Sequence, residues 1–374
     1  MNCFSTKLLV ASVAAAVSGA TMAADKVPTL GDVLKASDIA VSGYIDTTYT
    51  NFSTDAPLYQ AYTTEKNAFN LNAADLAISS LPASGFGGMV EMMAGEDPAF
   101  NASKGWSTTN FDVLQAYAQY AGGGMTVMAG KFATLAGAEV AQAPANANIS
   151  RSLLYTLAIP VTHTGLRTSY APGDTMKFTV GYNNGWDVLK ESAAGNCTTG
   201  GSCADGKTVE LGVALTPVKQ FALSAMYHVG EEYSSTSNTI GTRKLLDLVA
   251  TFNVTDALTF VLNYDKAEQE KATATNGTAK WDGLAGYTNF AFADKWRASL
   301  RTEQFKDKDC FRTGCAFSSQ TVKGNTLTVA YAPAKSTELR AELRADKSDQ
   351  KVYTKDGTAT DKQKFAGLEW VYKF

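Results

Sequence analysis

From about residue 39 onward the chain consists of short segments in which apolar and polar residues alternate one by one. A period of two sends successive side chains to opposite faces of an extended strand. In 364–374 (KFAGLEWVYKF), Leu368, Trp370, Tyr372 and Phe374 share one face, while Glu369 and Lys373 share the other. In 258–266, Leu258, Phe260, Leu262 and Tyr264 oppose Thr259, Asn263 and Asp265. In 337–346, Leu339, Ala341, Leu343 and Ala345 oppose Glu338, Arg340, Glu342, Arg344 and Asp346. Five charges on one face cannot form a packed core. They belong against water, either in the lumen of a closed barrel or on the outside of a soluble sandwich. The sandwich would leave many open strand edges to manage, so the barrel is favoured, with its apolar face turned to lipid.

Sixteen segments fit this pattern, at 39–50, 67–80, 87–95, 112–121, 125–132, 162–171, 175–185, 208–216, 220–230, 244–254, 258–268, 282–293, 296–305, 322–332, 337–346 and 364–374. The connections alternate in length. Seven are short and rich in Gly, Pro, Asp and Ser, such as 82–85, 122–124 and 172–174. Eight are long, at 51–66, 96–111, 133–161, 186–207, 231–243, 269–281, 306–321 and 347–363. An even number of strands, short periplasmic turns and long extracellular loops is the organisation of outer-membrane barrels. The expected fold is therefore all-β: a transmembrane antiparallel barrel of about 16 strands over 39–374, with both ends of the chain in the periplasm.

The first residues change the compartment. Lys7, an apolar run over 8–17 and the small residues Gly19, Ala20 and Ala23 read as a signal peptide over 1–23, followed by a short periplasmic lead-in at 24–38. Composition fits a half-polar strand set, with 18% charged residues and a mean hydropathy of −0.12. A formal net charge of −3 without a basic stripe argues against a nucleic-acid partner. Beyond Cys3 in the leader, the cysteines form two close pairs, Cys197 with Cys203 (CTTGGSC) and Cys310 with Cys315 (CFRTGC). Each lies in a polar segment assigned to the outside, so two local disulfides are expected. A four-cysteine zinc site would use tighter pairs, and no histidine stands near either one.

The motifs at 67–78 (NAFNLNAADLAI), 115–120 (QAYAQY), 130–132 (GKF), 148–160 (NISRSLLYTLAIP), 162–170 (THTGLRTSY) and 183–187 (NNGWD) resemble those of the "putative beta-barrel porin" family of the bacterial outer membrane. At Ala73-Ala74-Asp75 the chain departs from the Gln-Ala-Glu expected there. The resemblance implies a diffusion channel for small hydrophilic solutes or ions, set in outer-membrane lipid, with a homotrimer as a candidate assembly. It implies no cofactor and no enzymatic step. Two other readings stay open from the residues: a non-channel barrel whose long loops bind a partner or a surface, and a barrel enzyme.

Candidate pore residues follow from the alternation. The connection 133–161 is the longest and is apolar for an exposed loop, through Leu153, Leu154, Leu157 and Ile159. In general porins the third loop folds into the barrel, which this one resembles in order and length. Lying over the mouth or packing on a neighbouring subunit are the alternatives. Its charges, Glu139 and Arg151, are the candidate loop groups at a constriction. On the wall, Arg297, Arg301 and Glu303 face one way on one strand, and Glu338, Arg340, Glu342 and Arg344 do so two strands later. They either form a patterned field or compensate one another in a hydrated lumen. Trp296, Tyr331, Tyr170, Tyr372 and Phe374 sit near expected strand ends, as interfacial girdles do. His163 and His228 fall in different strands without a nucleophile or acid at hydrolase spacing, and are expected as solvated lumen or rim residues.

Overall fold

The computed structural model describes residues 29–101, 110–189 and 206–374. Sixteen strands close into one antiparallel barrel. In chain order they are β1 (Ala40–Phe52), β2 (Ala68–Ser80), β3 (Gly85–Ala94), β4 (Phe111–Gly122), β5 (Met125–Ala133), β6 (Thr162–Tyr170), β7 (Met176–Asn183), β8 (Thr208–Val218), β9 (Phe221–Ser234), β10 (Thr239–Asn253), β11 (Leu258–Gln269), β12 (Ala279–Ala293), β13 (Trp296–Asp307), β14 (Gln320–Ala334), β15 (Thr337–Ser348) and β18 (Lys362–Lys373). A separate two-stranded hairpin, β16 (Tyr353–Lys355) and β17 (Thr358–Thr360), stands in the last outer connection. Each barrel strand pairs with its neighbours in sequence, and β18 returns to β1 in a register running from Tyr44↔Lys373 to Phe52↔Phe365. Beyond that ladder, Phe374 N–H donates to the Gly43 carbonyl at 3.0 Å and Gly43 N–H to the Phe374 carbonyl at 3.1 Å. Closure of this kind leaves no strand edge unpaired, which is what allows strands to sit in hydrocarbon.

The alternation expected from sequence is the alternation of burial. Along β15, Arg340, Glu342, Arg344 and Asp346 point inward and are buried, while Leu343 between them is 64% exposed. Along β18, Leu368, Trp370 and Tyr372 face out and Glu369 and Val371 face in. Near the short turns the outward aromatics pair across strands: Phe86 with Tyr120 at 5.1 Å, Phe221 with Phe252 at 5.1 Å and Trp296 with Tyr331 at 4.6 Å between ring centroids. This is the girdle of one membrane–water interface. The two-residue turn Gly123-Gly124 has φ of +59° and +78°. Positive φ at both central residues is the type I′ geometry that matches strand twist, and glycine adopts it without strain.

One expected boundary needs correction, and two connections carry structure of their own. The fifth outer connection is four residues, 235–238, because β9 and β10 run on to a Ser234↔Thr239 pair. The lead-in carries a helix, α1 (Leu30–Ala36), started by a capping box in which Thr29 accepts from Asp32 N–H and Asp32 accepts from Thr29 N–H. The last outer connection is partly structured by the β16–β17 hairpin. Cys197 and Cys203 lie outside the described residues. Cys310 and Cys315 form a disulfide with a Cα–Cα distance of 5.1 Å.

The largest apolar cluster among the described residues lies inside the barrel. Leu153, Leu154, Tyr155, Leu157 and Ile159 from the connection 134–161 pack there against Trp281, Ala285, Tyr287, Phe305 and Val322 of β12–β14.

Candidate functional site: the barrel interior

The third outer connection folds inward and is bound to the wall strand by strand. It contains a 3-10 turn (Ala143–Ala145) and the short helix α2 (Leu153–Leu157), capped by Ser152, whose hydroxyl accepts from Tyr155 N–H. Ala138 N–H donates to Asn263 of β11 at 3.2 Å, and the indole of Trp281 on β12 donates to the Ala158 carbonyl at 3.1 Å. On β13, Glu303 accepts Leu153 N–H at 2.5 Å. On β14, Thr328 accepts from the Asn148 amide at 2.6 Å. On β15, Glu342 accepts Ile149 N–H at 2.6 Å and Ser150 N–H at 3.0 Å. The apolar face of the loop covers β12–β14 and its backbone N–H groups meet carboxylates, so both halves of its sequence have a partner in the lumen. A loop with this many buried polar groups is stable only where each finds such a partner.

Eight of the nine charged candidates lie in the loop or bond to it, and the ninth, Glu338, pairs on the wall with Arg297 and Arg340. Arg301 stands 2.9 Å from Glu139 and 3.0 Å from Glu303, and it also donates to the Ser150 carbonyl at 2.6 Å. Arg344 binds Asp346 at 2.8 Å and the Arg151 carbonyl at 2.7 Å. Arg340 binds Glu338, Glu369 at 2.8 Å and the Ala143 carbonyl at 3.2 Å. Arg297 shares Glu338 with Arg340 and keeps a partly exposed side chain. Each of these four wall arginines therefore has a carboxylate partner. Arg151 differs in kind. Its guanidinium donates to the carbonyls of Val140, Ile149 and Ala141, each at 2.9 Å, and lies 4.9 Å from the centre of the Tyr62 ring. It holds the loop in shape and is 2% exposed. Glu139 likewise accepts Ser152 N–H at 2.6 Å while meeting Arg301.

Other loops complete the interior. From 53–67, Gln60 reaches Asp346 and Arg344, and the Tyr62 hydroxyl lies 2.6 Å from that of Tyr155. Asp97, in the connection after β3, accepts from the Asn72 amide at 3.1 Å. Burial pushes the Asp97 carboxyl up to about 7, against the pull of that hydrogen bond and of Arg151. Arg312, from 308–319, donates to the Leu157 carbonyl at 2.5 Å and lies 5.7 Å from the Trp281 ring centre. Burial, with Arg243 nearby, brings its guanidinium down to about 10.

Sequence reasoning missed Asp346 and Glu369 as site residues, although both alternate in phase with the inward charges it did select. Gln60, Tyr62 and Asp97 come from segments without periodicity and carry no such signal. The two histidines need correction. They are not solvated: both are fully buried, with rings stacked 5.2 Å apart at an interplanar angle of 12°. Strands β6 and β9 carry them, and barrel curvature brings the two inward faces together across β7 and β8.

Comparison with curated protein sequences gives no significant match. Among solved structures, the outer membrane channel DcaP of Acinetobacter baumannii is similar with a TM-score of 0.62 at 14% identity, over 90% of this chain and 97% of that one. OmpT of Vibrio cholerae in its outer-membrane expressed form gives 0.61 at 14% identity, over 90% and 97%. An anion-selective porin from Comamonas acidovorans gives 0.62 at 13% identity, over 90% and 99%. At these identities the likeness is one of fold. The family described as "Putative beta-barrel porin-2, OmpL-like" matches residues 38–374, the whole of the barrel, and the chain belongs to that family.

Proposed function

We propose that this protein is a passive diffusion channel of the bacterial outer membrane for small hydrophilic solutes or ions. The observation that carries this reading is the inward row of Arg340, Glu342, Arg344 and Asp346 in a closed barrel whose outward row is Leu339, Ala341, Leu343 and Ala345. Such a wall offers hydrogen bonds in place of lost hydration, and its charges recur with compensating partners, so both signs of ion are tolerated. The loop 134–161 is the constricting element in this reading. Arg297 and Glu338 are the least covered of the charged wall residues, and they face what passes. Glu139, Arg301, Glu303, Arg340, Glu342 and Arg344 hold the loop and set the local field, and Arg151 fixes the loop's shape. The chain reaches the membrane by export with cleavage of a leader over 1–23, leaving 24–38 as a periplasmic lead-in to the barrel domain at 39–374. A homotrimer is the proposed assembly, and OmpT of Vibrio cholerae, of the same fold, has a solved trimer form.

Single-channel recording of the purified, heat-modifiable protein in planar bilayers tests the reading, with liposome swelling in sugars of graded size. Stepwise conductance with a size cut-off is expected. Folded protein that inserts but conducts nothing would overturn it in favour of a barrel whose outer loops bind a partner.

A further inference from the structure

We propose that His163, Glu210 and His228 form a binding site for one divalent transition-metal ion, of which zinc is the best-fitting example. One ligand atom from each lies within 4.8 Å of the others, and all three residues are fully buried. Glu210 and His228 are direct partners across β8 and β9, so their side chains leave the wall side by side. The nearer imidazole nitrogen of His228, Nε2, stands 3.6 Å from Glu210 Oε2, too far for a good hydrogen bond. Both nitrogens of His228 and Nε2 of His163 are buried without a hydrogen-bond partner. Buried imidazole nitrogens without partners call for an explanation, and an ion between them supplies one.

The tautomer of His163 follows from its other nitrogen. Nδ1 lies 3.3 Å from the Gly185 carbonyl, which can only accept, so Nδ1 carries the proton and Nε2 presents its lone pair inward. A backbone carbonyl fixing one imidazole nitrogen so that the other can ligate is the usual outer-sphere support of a metal histidine. Two imidazoles and a carboxylate make a borderline donor set that suits zinc and its neighbours rather than magnesium or calcium, which seek oxygen. Ligand atoms around tetrahedral zinc stand roughly 3.3 Å apart, so small side-chain rotations close the site.

Arg167 is the competitor. It binds Glu210 through Nε at 2.5 Å and Nη2 at 3.0 Å, in the same inward row. It reaches across β7 at Gly181, where a Cβ would stand 2.2 Å from Glu210 Oε1. The four lone-pair sites of a carboxylate leave room for both cations, but their repulsion weakens the metal. The buried carboxylates of Asp247 and Asp265 are direct partners across β10 and β11, and Asp247 stands diagonal to His228 across β9 and β10.

The test uses the full-length barrel in detergent, stripped with EDTA, and titrates zinc against a chromogenic chelator, with native mass spectrometry for stoichiometry. One zinc per chain is expected. His228→Gln and Glu210→Gln should each weaken it by at least about a hundredfold, since even outer-sphere changes cost 10- to 100-fold. Arg167→Met should tighten it, a gain that a purely structural role for the cluster would not produce. Failure of the stripped, folded wild type to bind zinc, or equal binding by the double variant His163→Gln/His228→Gln, would overturn the site. Should the variants not fold, cobalt added to the wild type decides: visible ligand-field bands that zinc displaces support the site, and their absence overturns it. Neither outcome bears on conductance.

Discussion

Arg301, on the wall strand β13, stands 2.9 Å from Glu139 of the inward loop, and neither side chain is more than slightly exposed. Glu303 flanks the same guanidinium at 3.0 Å, and Thr326 and the carbonyls of Ser150 and Arg151 take the other donors. This pair joins the wall to a loop whose own charges are Glu139 and Arg151 alone. Removing one partner of a buried pair leaves an uncompensated charge, at a cost of about 3–5 kcal/mol. Arg301→Met is therefore expected to release the loop without unfolding the barrel. Recordings should show larger and noisier conductance with unchanged heat modifiability, and a quiet wild-type trace would refute the anchoring role.

Leu343→Arg should harm insertion far more than Thr259→Arg. Leu343 is 64% exposed on the outer face, between Leu327 of β14 and Ala366 of β18. An arginine near the midplane of that face costs roughly 2–4 kcal/mol. Thr259 faces the lumen, in phase with the buried Asn263 and Asp265. Yields of heat-modifiable protein in vesicles compare the two, and equal yields would contradict the register.

Strand positions were legible because lipid on one side and water on the other impose a period of two, and turn residues punctuate it. Legibility ended where that contrast ended. At 231–243 the contrast fades: the outward face mixes Glu231 and Thr242 with Tyr233 and Ile240, while Glu232, Ser234 and Arg243 are buried inside. Beyond the hydrocarbon, no apolar row distinguishes strand from loop, so β9 and β10 read as shorter than they are. The charged wall was legible by the same alternation, down to Arg301 and Glu342. That Arg151 grips its own loop, and that His163 meets His228 across two intervening strands, depends on curvature and closure, which leave no local trace.

The Cys310–Cys315 disulfide should matter little to the barrel. It closes a very short ring, so it removes little entropy from the unfolded chain. The same segment is already held by Asp307, whose carboxylate accepts from the backbone N–H groups of Phe311, Arg312 and Thr313. Cys310→Ser/Cys315→Ser should leave the heat-modification midpoint almost unchanged, while Asp307→Ala lowers it. Non-reducing mass mapping of the wild type checks this pair, and tests the expected Cys197–Cys203 link too.

Asp97 predicts a pH dependence with a definite sign. Its carboxyl is raised from 3.8 to about 7 by burial. Between those values the folded state holds a proton that the unfolded state has lost, so this residue's contribution to stability falls as pH rises through that window. Asp97→Asn removes the ionisation and keeps the shape. The wild type should lose stability relative to the variant between about pH 4 and 7, read as the difference in unfolding midpoints. A difference that does not change with pH would show that Asp97 does not titrate there.

Deleting 141–150 removes the 3-10 turn and the segment that meets the wall through Asn148, Ile149 and Ser150. It also takes away two of the carbonyls that Arg151 grips, those of Ala141 and Ile149. Glu342 and Arg340 would then face open lumen instead of the loop backbone. If the loop is the constriction, the folded deletion protein conducts more than wild type and admits larger neutral sugars. Charge reversal at Arg151 alone gives a related but distinct result. With its guanidinium bound to three loop carbonyls, Arg151→Glu sets a carboxylate against oxygen acceptors, so the loop loosens. Conductance then rises together with any shift of reversal potential toward cations. A shift in selectivity at constant conductance would place Arg151 in the ion path rather than in the loop's scaffold. A folded deletion protein with wild-type conductance, reversal potential and size limit would remove the loop from the constriction and leave the barrel's own wall to set the pore.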